Sequence, residues 1–68
     1  MIVALNGRPA RLPDGATVAD AVREAGANGD GRGVAVAVNG EVVRRVEWSK
    51  TKLESNQSVE VVHAVQGG

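Results

Sequence analysis

The chain has no cysteine, and Trp48 is its only aromatic residue in 68 positions. Without thiols, neither a disulfide framework nor a thiolate metal site can support a fold near the lower size limit, so an aliphatic core must suffice. Charge of one sign is missing too: eight Lys and Arg offset eight Asp and Glu. No block of like charge runs along the sequence, which argues against a nucleic-acid or anionic-membrane partner. The opening Met1-Ile2-Val3-Ala4-Leu5 has no basic flank and no long apolar run. No signal peptide or membrane span is therefore expected, and the cytoplasm is the default location.

What the chain does contain is aliphatic surface, with 43% hydrophobic residues. Ordering a chain of this length costs on the order of 100 kcal/mol at about 1.5 kcal/mol per residue, so nearly every aliphatic side chain must enter the core. One domain over residues 1–68 is expected, with little capacity left for an internal catalytic pocket.

Two Asn-Gly pairs punctuate the pattern. Met1, Val3 and Leu5 alternate with their neighbours before Asn6-Gly7, a pair that favours a type I′ turn, and a return strand follows over about 8–12. Pro9 has no ladder donor, which places that return strand at a sheet edge. Pro13-Asp14-Gly15 turns the chain away. Thr17 is a good N-cap with Asp20 three residues on, a weaker relative of the capping box, and Gly26 suits C′, so a helix is predicted over about 18–25. Val18, Ala21, Val22 and Ala25 give it one narrow apolar stripe to pack on a sheet. Residues 27–33 read as an exposed loop. Val34 to Val38, β-branched at alternate positions, leads through Asn39-Gly40 into a partner strand over 41–45. Residues 46–58 show no period, with Trp48 and Leu53 as anchors of a long connection. Val59 to Val65, apolar apart from Glu60 and His63, suits a central strand.

Hairpin, helix, hairpin, connection and strand make an α+β domain, and this order is that of the ubiquitin-like β-grasp fold: one helix on a mixed sheet of four to five strands. First and last strands would then lie parallel at its centre, and Gln66-Gly67-Gly68 would leave as a free tail. Glycines have no Cβ, so such a tail can thread a narrow channel. Three residues reach roughly 10 Å, enough to place the Gly68 carboxylate inside another protein's active site while the body docks outside. A carboxylate is a poor electrophile. Acyl transfer from it requires prior activation, for instance as an adenylate made from ATP by a partner.

Over essentially its whole length the chain resembles the ThiS family of thiamin-biosynthesis sulfur carriers. The likeness lies in Leu5-Asn6-Gly7, in Val36-Ala37-Val38-Asn39-Gly40-Glu41-Val42-Val43, in Trp48, and in the ending Val62-His63-Ala64-Val65-Gln66-Gly67-Gly68. The resemblance implies a carrier and co-substrate with no catalytic residues and no cofactor of its own. A ThiF-type adenylyltransferase would adenylate Gly68. Sulfur from a sulfurtransferase or cysteine desulfurase would convert it to a thiocarboxylate, and the thiazole synthase ThiG would take the sulfur. Gly68 matches the glycine that carries the sulfur, while Gly67, with Gln66 before it, matches the segment inserted into the partner. Two positions depart from the family pattern. Asn56-Gln57 stands where many relatives have Gly-Asp, and Gln66 where a third glycine is frequent. Alternatives within reach of the same tail are a carrier for molybdopterin or another pathway, of the MoaD kind, and a ubiquitin-like modifier joined through Gly68 to lysine amines. A passive module binding through strand edges or the helix-opposed sheet face is a third.

Other features have plain readings. His63 could act as a general base, but no second group completes a catalytic set, and a packed or interfacial side chain is the ordinary role of a lone histidine near a strand end. Gly29, Gly31 and Gly33 follow a helix instead of opening one, so they do not form a dinucleotide loop. Asn28 and Asp30 lack the bidentate glutamate of a calcium loop, and no metal is expected. Arg44, Arg45, Lys50 and Lys52 form an ordinary solvated face. Trp48 is expected to fill the core.

Overall fold

The computed structural model describes residues 1–27 and 32–63. Both Asn-Gly pairs make the turns expected of them. Asn6 and Gly7 have φ of 51° and 81°, and Asn39 and Gly40 have 50° and 85°. Two left-handed residues in succession define the I′ turn, whose twist matches that of the strands it joins. The first turn links β1 (Ile2–Leu5) to β2 (Arg8–Arg11), and the second links β3 (Val34–Val38) to β4 (Glu41–Val43).

The last strand, β5 (Ser58–His63), inserts between the hairpins to give the order β2-β1-β5-β3-β4. It runs parallel to β1, with Leu5 beside Val59, and antiparallel to β3, with Val34 beside His63. β2 lies at an edge, as Pro9 requires. One helix on a mixed five-stranded sheet in this order is the β-grasp architecture.

The helix α1 (Val18–Glu24) is closed at both ends by local chemistry. Thr17 accepts the Asp20 N–H through its hydroxyl, and the Asp20 carboxylate accepts the Thr17 N–H at 2.8 Å. This is a complete capping box, with Asp in place of the usual Glu. At the other end Ala27 donates to Val22 at 3.1 Å and Gly26, at φ 81°, donates to Arg23 at 3.0 Å. Those two bonds form a Schellman motif, which stops the helix at Glu24 with Ala25 as its cap. The predicted helix is thus one residue too long.

Val18, Ala21 and Val22 are at most 4% exposed and meet Val3, Leu5, Val36, Val59 and Val61 from the sheet. Each valine fully buried this way contributes roughly 1.5 to 3 kcal/mol. Trp48, Leu53, Leu12 and Ala16 complete the cluster. Trp48 and Leu53 are therefore the anchors expected of them, and the connection does more than span a gap. Val18 N–H donates to the Thr51 carbonyl at 2.9 Å and Ala19 N–H to the Trp48 carbonyl at 3.2 Å. The first helical turn, whose donors have no partner within the helix, is satisfied by this segment.

β4 ends at Val43, not at Arg45 as predicted, because the chain tightens there. A 3₁₀ turn at Arg45–Glu47 swings Trp48 under the sheet, and its indole N–H donates to the Val43 carbonyl at 2.9 Å. β5 starts one residue earlier than predicted, at Ser58. The predicted continuation through Ala64 and Val65 lies outside the described residues.

Candidate functional site

A tail can be aimed only as well as the strand that carries it, and β5 is held from both sides along its length. Toward β1, Ala4 N–H donates to the Gln57 carbonyl at 2.9 Å and Asn6 N–H to the Val59 carbonyl at 2.8 Å. Past the end of β1 the backbone ladder would stop. The Asn6 side chain extends it, its Oδ1 accepting the Val61 N–H at 2.7 Å. Toward β3, five register pairs run from Val38 beside Val59 to Val34 beside His63. Beyond them Asn39 both donates to the Ser58 carbonyl at 2.7 Å and accepts the Ser58 N–H through Oδ1 at 2.9 Å. The two turn asparagines therefore act twice. Each takes the left-handed conformation that asparagine tolerates, and each clamps β5, Asn39 at its first residue and Asn6 at Val61 within it.

The turn before β5 uses the same device. Asn56 has φ 72°, and its N–H donates to the Ile2 carbonyl at 2.8 Å. Asn56 thus keeps the left-handed turn that asparagine tolerates. Gln57 Oε1 accepts the Glu54 N–H at 2.8 Å and closes it.

Gln66, Gly67 and Gly68 lie outside the described residues, as do Asn28 and Asp30. His63 ends β5 opposite Val34 with its side chain exposed, so it is not a packed core histidine. Arg44, Arg45, Lys50 and Lys52 are all exposed, the solvated face predicted for them. The hydroxyls of Thr17 and Thr51 are engaged with Asp20 at 3.2 Å and the Glu47 carbonyl at 2.8 Å. An open cleft of about 690 Å³ lies between β2 and the end of α1, bordered by Leu5, Arg8, Ala10 and Glu24. It gathers no nucleophile and base. Among the described residues, the helix cap holds the carboxyl whose electrostatics depart from the ordinary. The Thr17 backbone N–H holds the Asp20 carboxyl below its ordinary value, burial partly opposes this, and the Thr17 hydroxyl and Arg23 assist.

The helix-opposed sheet face, expected only as the surface of a passive binding module, is open and apolar at residues the sequence had not singled out. Val62 is 60% exposed and Val42 76% exposed, and by register Ala35 is beside Val62 and Ala37 beside Val42. These four aliphatic residues, on three adjacent strands, form one patch that reaches the next-to-last described position of β5. Ile2, 46% exposed, and Ala4 extend the apolar character across β1. The signal was present in the sequence. Val61-Val62 and Val42-Val43 place aliphatic residues on both faces of a strand, and a single helix covers only one face.

Comparison with known proteins adds the following. The sequence profile of the ThiS family matches residues 3–68. No curated protein matches the chain in sequence. The crystal structure of the thiamine biosynthesis protein ThiS from Geobacter metallireducens is similar in fold, with a TM-score of 0.78 and 24% identity, covering 100% of both chains. The solution structure of a thiamine biosynthesis protein from the same organism gives 0.79 at 24% identity, over 100% of this chain and 88% of that one.

Proposed function

Because the chain belongs to the ThiS family, we propose that it is a sulfur carrier of thiamin biosynthesis, a co-substrate and not an enzyme, whose reactive group is the Gly68 carboxylate. The observation that carries this reading is the place of Gly67 and Gly68 in the sequence, four and five residues after His63 of a central strand clamped by Asn6 and Asn39. The family match extends through both glycines.

The chemistry follows from the acid. An oxygen of the Gly68 carboxylate attacks the α-phosphorus of ATP in the active site of a ThiF-type adenylyltransferase, and pyrophosphate leaves. The acyl adenylate has AMP as leaving group, so the terminal sulfur of a persulfide on a sulfurtransferase or cysteine desulfurase adds at the carbonyl carbon and displaces it, and attack of a thiol reductant on the resulting acyl disulfide breaks the S–S bond. The resulting thiocarboxylate delivers sulfur to the thiazole synthase ThiG. Residues 1–68 act as a single carrier domain in the cytoplasm, with Gln66 and Gly67 entering the partner alongside Gly68. Among the described residues no helix is long and apolar enough to cross a membrane. The patch of exposed Val62, Ala35 and Val42 with half-buried Ala37, on the strand that precedes the tail in sequence and on its neighbours, gives the partner a surface to grip. Burial of such a face supplies affinity that the slender tail cannot.

Incubation with a ThiF-type enzyme, ATP and a sulfur donor tests the reading. Intact mass spectrometry should show the gain of one oxygen replaced by sulfur. An unchanged mass, or conjugates to lysines on a denaturing gel in its place, refutes it.

A further inference from the structure

Across the described strands β3, β4 and β5 the open face carries one charge, whereas on the far side of β1 Arg11 stands beside Ile2. Glu60 lies on β5 beside Ala37, whose other neighbour is Val42, and on the same face as Val62 two positions on. It is exposed, and among the described residues no hydrogen bond or ion pair holds it. A glutamate is a poor residue for the centre of a sheet. It stabilises nothing that the described structure shows. In the free protein it costs little, because water solvates the carboxylate. When a partner covers Val62, Ala35, Ala37 and Val42, that water must leave, and a carboxylate buried without a counter-charge is strongly unfavourable.

We propose that Glu60 is a specificity-determining residue for docking. It selects a partner whose apolar contact surface carries one arginine or lysine opposite β5, and it penalises surfaces lacking that cation. This rests on the carrier reading above, since a carrier must dock on a separate enzyme for its terminal carboxylate to react. Within a patch whose other members are valine and alanine, the carboxylate fixes both partner choice and orientation. Aliphatic contacts alone would permit several sliding positions, whereas a single buried ion pair permits one.

The test measures pyrophosphate release by a ThiF-type adenylyltransferase with ATP as a function of carrier concentration. The carriers are wild type, Glu60→Gln, Glu60→Lys and Glu24→Lys. The last makes the same change in net charge on exposed helix surface and controls for overall electrostatics. For Glu60→Lys, KM for the carrier should rise at least tenfold with kcat at saturation unchanged, because the tail chemistry is intact once docked. Glu60→Gln should raise KM several-fold, and Glu24→Lys should match wild type. Equal KM values for Glu60→Lys and Glu24→Lys overturn the proposal while leaving the carrier reading in place. A wild-type chain that releases no pyrophosphate at any concentration overturns both.

Discussion

Removing the Asn6 side chain tests whether the clamp on β5 is an energetic feature or an accident of the turn. In Asn6→Gly the left-handed turn at φ 51° persists without strain, because glycine adopts that region freely. What disappears is the Oδ1 acceptor of the Val61 N–H, a partly buried bond of 2.7 Å joining positions 55 apart in sequence. A buried donor left without a partner costs about 1 to 3 kcal/mol, and the added freedom of glycine in the unfolded chain increases the loss by roughly 0.5 kcal/mol. With a loss near 2 kcal/mol, Tm should fall by roughly 8 to 16 °C in a domain of this size. The whole stability available to 68 residues is roughly 3 to 10 kcal/mol. Asn6→Asp retains both an acceptor and a tolerance for the turn, and should lose much less. Asn39→Gly is the informative contrast: its bond to the Ser58 N–H is exposed, water replaces it, and the cost should stay within about 1 kcal/mol. Thermal melts followed by Trp48 fluorescence give the stabilities, and amide hydrogen exchange at Val61 gives the local effect. If Asn6→Gly melts within about 2 °C of wild type with Val61 equally protected, the clamp carries no weight and the reasoning is wrong.

Three further outcomes are expected. Trp48→Ala should remove about 3 to 5 kcal/mol, comparable to the total stability, so far-UV circular dichroism should show a largely unfolded chain at room temperature; a cooperative melt above about 50 °C would contradict the central packing of Trp48. Asp20 is held below its ordinary value of 3.8, so its contribution to stability is present above that pH and is lost as the pH falls through the lower folded value. Asp20→Asn should accordingly flatten the acid limb of Tm against pH, and an unaltered slope below about pH 4 would count against the capping box as the cause. Deleting Gly67-Gly68 should abolish adenylation while Tm stays within about 2 °C of the full chain, since terminal residues beyond the last strand add little to stability; retained pyrophosphate release would reject Gly68 as the reactive end.

The sequence by itself determined the order of elements, both I′ turns, the edge position of β2, the central place of β5 and the core stripe of α1. Each of these depends on contacts within a few residues or on a period, as with Asn39-Gly40 or Val18, Ala21 and Val22. The candidate chemistry was legible as well, because a diglycine after an apolar strand needs no partner from elsewhere in the chain to be recognised. Tertiary structure alone decided four things. It ended β4 at Val43, because the chain tightens into a 3₁₀ turn that brings Trp48 under the sheet. It gave the 48–51 segment the task of satisfying the first turn of α1. It also made Asn6 and Asn39 into clamps on a strand more than fifty and nearly twenty residues away. The exposed face around Glu60 belongs with these. Aliphatic residues on both sides of a strand show that two faces are apolar, but which of them stays open depends on where the one helix packs, and no local pattern encodes that.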